Sequence, residues 1–180
     1  EAIDEMLDRR VALKCARPGH GDRLPPEVRA AREVSHFNVC KVHDLHVAST
    51  PLGETEFISM ECIDGETLSR RIHRDGPLPD ADARDIATQI CAGLAQAHRQ
   101  GVIHGDLKCA NVILTQSPEG NTRAVITDFG LAKMTLVPSA RTKGGTGGTL
   151  DYMAPELLLG QGPTVASDIY ALGILFHVML

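Results

Sequence analysis

A chain of 180 residues is enough for one ordinary domain or part of a larger one, and a hydrophobic content of 43% excludes wholesale disorder. The formal net charge of −5 gives no overall attraction to nucleic acid or anionic lipid, so neither is expected as a partner. The five cysteines (15, 40, 62, 91 and 109) form no C-x-x-C pair and no metal-ligand spacing; reduced thiols in a cytoplasmic compartment are expected, not a disulfide framework.

In chain order, "RVALK" (10–14) reads as a strand and "LPPEVRAAREVSH" (24–36) as a helix with its prolines in the first turn, where missing N–H groups do no harm. Strands are expected over 39–47 and 56–62, separated by the turn-rich "ASTPLGE". "DGETLSRRI" (64–72) begins a short helix. Segment 79–100 is the most regular: Ile86, Ile90, Leu94 and Ala97 share one helical stripe, and Gly101 closes it. Short strands at 102–104 and 112–115, a turn at "SPEGN" and a strand over 123–127 follow. The apolar run "IYALGILFHVML" (169–180) is too short for a membrane span and carries His177, so it reads as a buried core helix without membrane contact. No signal peptide is visible, and both ends of the chain read as cut. Strands dominate the first third and helices the rest, which predicts an α+β fold in two lobes.

"VIHGDLKCANVIL" (102–114) concentrates polar chemistry between two apolar runs: Asp106, Lys108 and Asn111 in the spacing D-x-K-x-x-N. Asp128 follows in "DFG", at the end of an apolar strand. If strands 112–115 and 123–127 pair as a hairpin, Asn111 and Asp128 arrive at the same end of it. An amide oxygen and a carboxylate there suit Mg²⁺, which takes few protein ligands plus phosphate oxygens. Asp106 and Lys108 would sit beside that site. Phosphoryl transfer needs these parts: neutralisation by metal, a cation on the moving group, and a carboxylate aligning the acceptor hydroxyl.

In these motifs the sequence resembles the eukaryotic-type protein kinases, in particular the Ser/Thr branch found in bacteria. The resemblance covers nearly the whole chain. It implies an incomplete bilobal kinase-like fold, one kinase domain overall: 1–63 a partial N-lobe and hinge without the glycine-rich loop, and 64–180 a partial C-lobe through the central helix. "VALK" would supply Lys14 for the α- and β-phosphates, with Glu27 as its pairing partner. "SMECIDGETL" resembles the gatekeeper and hinge, with Met60 as gatekeeper, backbone groups of Glu61 and Ile63 facing adenine, and Ala12 and Ile113 sandwiching it. "HGDLKCAN" stands where H-R-D-L-K-x-x-N belongs, which implies Asp106 for the acceptor hydroxyl, Lys108 for the phosphoryl group, and Asn111 with Asp128 for the metal. "GTLDYMAPE" (148–156) matches the segment docking a protein substrate; Asp168 matches a buried carboxylate that holds the catalytic-loop backbone, and His104 a packed scaffold residue. The implied cofactors are ATP and Mg²⁺, with Mn²⁺ as its substitute. The implied partner is a protein with a Ser/Thr acceptor, and the implied location is cytoplasmic, any membrane anchor of the parent chain lying outside this segment.

One position departs from the family pattern. Many members carry arginine where this chain has Gly105, and that arginine receives a phosphorylated residue of the activation segment. Activity here is therefore expected not to depend on a phosphate–arginine latch, although Thr135, Ser139, Thr142, Thr146 and Thr149 remain as hydroxyls, Thr149 being expected on Asp106 and Lys108. "HGD" followed by Asn111 also resembles small-molecule phosphotransferases of the aminoglycoside and choline kinase type; "YMAPE" and "SDIYALG" favour the protein kinases. A pseudokinase or scaffold is the remaining alternative, weakened by the presence of Lys14, Glu27, Asp106, Asn111 and Asp128. The 180-residue piece by itself is expected to be poorly stable and nearly inactive.

Overall fold

A computed structural model gives the fold, and it describes residues 1–5, 8–15, 31–50, 53–129 and 149–180. The first part of the chain builds an antiparallel sheet from β1 (Ala2–Asp4), β2 (Arg9–Cys15), β3 (Val42–Thr50) and β4 (Gly53–Glu61), in the order β1-β2-β4-β3. The β2–β4 register sets Ala12 opposite Met60 and Lys14 opposite Ile58. Because side chains alternate across a strand, Ala12 and Lys14 share one face of β2. Ile58 is 1% exposed and packs with Val42, Leu45 and Met60 as a small separate core.

A second sheet follows: β5 (Glu66–Thr67), β6 (Val112–Gln116) and β7 (Thr122–Ile126), in that order. The hairpin expected between β6 and β7 forms, paired from Val112↔Ile126 to Gln116↔Thr122. Its turn closes through Ser117 N–H donating to Asn121 O, with Gly120 at φ 82°, a conformation that glycine adopts without penalty.

The helical part contains α1 (Leu68–Asp75), α2 (Asp80–Arg99), the single turn α3 (Pro155–Leu158) and α4 (Val165–Met179). Thr67 caps α1, its hydroxyl accepting from Arg70 N–H, and Thr164 with Ser167 forms a reciprocal capping box on α4. The α2 stripe of Ile86, Ile90, Leu94 and Ala97 is buried as its spacing predicts, and it packs with Val112, Ile126 and Leu175 in one core. No helix among the described residues is long and apolar enough to cross a membrane. All five cysteines are free thiols.

Several boundaries differ from the expectation. Among the described residues, 102–104 are not a strand: Val102 N–H donates to Ala97 O and His104 N–H to the Asp168 carboxylate, so these two donors are satisfied by the end of α2 and the start of α4. The strand expected from residue 39 begins at Val42; Val39 makes one parallel bridge to Ile126, which draws residues 38–40 toward the second sheet. The helix expected just after Asp64 and Gly65 begins at Leu68, because Glu66 and Thr67 pair with Leu114 and Ile113 first. Helix α4 buries one face only, through Ala171, Leu172, Leu175 and Met179, and leaves Ile169 and Tyr170 exposed. Of the helix expected over 24–36, residues 31–33 are helical; 24–30 lie outside the described residues.

Gly65 shows how tightly the segment after β4 is laid on β6. A Cβ there would lie 2.3 Å from the backbone oxygen of Leu114, whereas Gly162 faces open space. Gly65→Ala is expected to lower stability by about 1–3 kcal/mol in urea unfolding through this overpacking. Gly162→Ala should stay within about 0.5 kcal/mol of the unaltered protein.

Candidate active site

The polar loop after α2 is organised around one carboxylate. Asp168, at the start of α4, is 1% exposed, a setting in which a carboxylate must be fully hydrogen-bonded. Its Oδ2 accepts from His104 N–H and lies 2.8 Å from His98 Nε2, while its Oδ1 accepts from Gly105 N–H at 2.8 Å. Gly105 has φ 77°, in the left-handed region where glycine has no steric cost, and that bend lets two successive N–H groups converge on Asp168.

His104 is fully buried and sits between the loop and the strand end. Its Nε2 donates to Thr127 O at 2.9 Å and its Nδ1 accepts from Asp106 N–H at 3.2 Å, a pattern that requires the neutral ring. Burial holds its pKa below the ordinary histidine value, against the pull of Asp168. The ring packs against Phe129 with centroids 4.7 Å apart. These contacts agree with a scaffold role.

Asp106, Lys108 and Asn111 are brought together. Lys108 Nζ lies 2.7 Å from Asp106 Oδ2, and Asn111 Nδ2 donates to Asp106 O at 2.7 Å. Since a carbonyl can only accept, this bond fixes the amide's orientation and turns Asn111 Oδ1 away from the loop. A 3-10 turn over Cys109–Asn111 carries Asn111 to the start of β6, where Thr127 N–H donates to Asn111 O at 2.9 Å. Asp128 follows directly, so Asn111 and Asp128 stand at the same end of the hairpin.

Asp128 has φ 68°, a strained conformation for a residue other than glycine and one that clusters at functional sites. Lys14 Nζ, from the other sheet, lies 2.9 Å from its Oδ2. Asn111 Oδ1 and the Asp128 carboxylate are hard oxygen donors on adjoining backbone, a set that fits a small divalent cation taking few protein ligands. Glu27, expected beside Lys14, lies outside the described residues.

The residues expected around a planar ligand occupy both sheets. Ala12 lies opposite Met60, Glu61 ends β4 with Ile63 just beyond, and Ile113 lies opposite Val125 in β6. Behind Met60 a small cavity reaches Val39, Cys40, Asp128 and Phe129. Burial, with the nearby Glu61 carboxylate, pushes the Cys40 thiol up to about 12, so it stays protonated and donates to Glu61 O at 3.7 Å. Burial likewise raises the Cys109 thiol and the Tyr152 hydroxyl, which hydrogen-bond to each other and tie the polar loop to the segment before α3. The Thr149 side chain and residues 130–148, with the other four hydroxyls, lie outside the described residues.

Two contributors escaped the sequence reading. His98 lies on the last turn of α2 with nothing in its spacing to mark it. Arg123 lies on β7, where one cation in "TRAVI" reads as a solvated edge residue.

The chain matches a family model described as "Protein kinase domain" over residues 1–180. It is 38% identical to the serine/threonine-protein kinase drp72 of Corynebacterium efficiens, an alignment covering 99% of this chain and 35% of that protein. It is 35% identical to the serine/threonine-protein kinase PknA of Mycobacterium tuberculosis, over 97% of this chain and 41% of that protein. The chain thus spans well under half the length of these relatives. Among solved structures it is similar in fold to Rad53 1–466, crystallised in complex with AMP-PNP, with a TM-score of 0.74, 24% identity, and coverage of 96% of this chain and 41% of that one.

Removing the Asp168 carboxylate leaves buried N–H groups without an acceptor. Asp168→Ala is expected to destabilise the protein by about 3–5 kcal/mol in chemical denaturation. His104 gives a pH signature. Its folded pKa is below the unfolded value of 6.5, so the unfolded chain binds more protons, and stability falls as pH drops below about 6.5. His104→Gln, though weaker at pH 7, should lose stability less steeply between about pH 7 and 5.

Proposed function

The chain belongs to the protein kinase family, and on that premise we propose that it carries the catalytic machinery for ATP-dependent phosphoryl transfer to serine or threonine hydroxyls of protein substrates. The observation that carries this reading is the ion pair of Lys14 with Asp128 at 2.9 Å, which links the first sheet to the hairpin end that also holds Asn111. A cation, a carboxylate and an amide oxygen placed there suit a polyphosphate and its counter-ion.

In this reading residues 1–63 and 64–180 act as the two lobes, joined at the segment after β4. Backbone groups of Glu61 and Ile63 hydrogen-bond adenine, and Ala12 and Ile113 cover its faces below Met60. Lys14, with Glu27 as its further partner, binds the α- and β-phosphates. Asn111 Oδ1 and Asp128 would hold Mg²⁺, or Mn²⁺ in its place, and the metal when bound would neutralise phosphate charge. Asp106 orients the acceptor hydroxyl and takes its proton as the hydroxyl oxygen bonds to the γ-phosphorus and the bond to ADP breaks. Lys108, 2.7 Å from Asp106, supplies positive charge to the group in transit. ATP as substrate and five free thiols favour a cytoplasmic setting.

Gly105 offers no guanidinium to a phosphate, and its N–H donates to Asp168. This supports activity without an arginine–phosphate latch.

The test is a radiolabelled ATP assay on the full-length parent protein with a generic protein acceptor. Asp106→Ala and Asp128→Ala are each expected to lower transfer by at least about 100-fold. Asp128→Ala should also weaken Mg·ATP binding more than Asp106→Ala does. Unaltered rates in either variant would refute the assignment. Labelling of an aminoglycoside or choline in preference to protein would place the chain among the small-molecule phosphotransferases, and binding without transfer would make it a scaffold.

A further inference from the structure

Arg123 is placed as a clamp. It is the one charged residue of β7, next to Ala124, Val125 and Ile126, which are fully buried. Its Nε and Nη2 both donate to Phe37 O, at 2.9 and 2.6 Å, and its Nη1 donates to Glu61 Oε1 at 3.3 Å. The guanidinium carbon also lies 4.4 Å from the centre of the Phe37 ring. A planar fork with donors on several edges can satisfy a carbonyl and a carboxylate while stacking on an aromatic face. The Arg123 side chain is 17% exposed, so the guanidinium itself is mostly covered, while its partners Glu61 and Phe37 stay at the surface edge.

The three tied segments have different tasks. Glu61 ends β4, and its other carboxylate oxygen accepts from Lys41 N–H at 3.3 Å, while its own N–H donates to Lys41 O at 2.8 Å. Phe37 precedes Asn38 and Cys40, which exchange backbone hydrogen bonds with Ile126. β7 runs from Thr122 to Ile126, with Asp128 two residues beyond its end. One side chain therefore spans directly, alongside these backbone bonds, from the strand end expected to face adenine to the strand that leads to the candidate metal ligand.

We propose that Arg123 is a positioning residue for the nucleotide: through Glu61 it holds the adenine-facing backbone of residues 61–63 in fixed register with β7 and Asp128. The proposal rests on the nucleotide reading above and adds a residue to it. Arg123 touches neither phosphate nor acceptor, so it acts on nucleotide affinity and leaves the chemical step largely alone. Its effect reaches adenosine as much as ATP, because the lever is the adenine end.

The test uses the full-length parent protein. Arg123→Ala is expected to raise the KM for ATP and the Kd for adenosine by a similar factor, about tenfold, the size of a lost charge-assisted hydrogen bond, with kcat changed less than about threefold. Arg123→Lys keeps the charge but not the fork, and its Kd values should fall between those of Arg123→Ala and the unaltered protein. Glu61→Gln added to Arg123→Ala should weaken adenosine binding little further, since the two act as one unit. The proposal is overturned if Arg123→Ala and Arg123→Lys leave both constants within about twofold, if kcat falls while KM holds, or if the double variant is additive. If the unaltered protein binds neither ATP nor adenosine, the nucleotide reading fails and takes this inference with it; normal binding that ignores Arg123 sinks the inference alone.

Discussion

The Asp168 carboxylate is the constraint on which the active-site side of the molecule depends. A loop that runs through the interior must hydrogen-bond its backbone somewhere, and among the described residues no strand pairs with 102–105. Asp168 provides the acceptor for two successive N–H groups and for His98, which anchors the start of α4 to the end of α2 and to the loop together. Convergence of adjacent N–H groups on one anion demands a left-handed residue, and Gly105 supplies it. The glycine that departs from the family pattern is thus a backbone requirement met at low cost.

From that anchor the order passes forward by contact. His104 carries it to Thr127 and Phe129, and Asp106 N–H is drawn onto the same ring. The hairpin then delivers Asn111 and Asp128 side by side. Asp128 occupies an unfavourable φ of 68°, which the paired strand before it and the ion pair with Lys14 hold in place. A site assembled in this way needs little rearrangement to receive a charged ligand, the condition under which fixed charges act most strongly on a reacting group.

The first sheet is coupled to this machinery at two places of different character. Lys14 reaches across as a flexible cation, 39% exposed, to pair with Asp128. Arg123 reaches back as a planar fork to Glu61 and Phe37. One link is adaptable and sits where charge must move; the other is rigid and sits where spacing must hold.

Much of this was legible in the sequence because it is local. The α2 stripe, the β6–β7 hairpin and the clustering of Asp106, Lys108 and Asn111 follow from periodicity and short spacing, and the ordered motifs carry the family. The α+β class and the α2 face needed nothing further. Tertiary structure decided the rest, where partners are far apart in sequence. It turned His104 N–H onto Asp168, bent residues 38–40 toward Ile126, spent Glu66 and Thr67 on β6 before α1 could start, and set Lys14 on Asp128. It alone revealed His98 and Arg123, since a histidine at a helix end and an arginine on a strand carry no pattern of their own. Hydrophobic period and turn chemistry are written within a few residues, whereas the partner of a buried donor or charge is chosen only when distant segments meet.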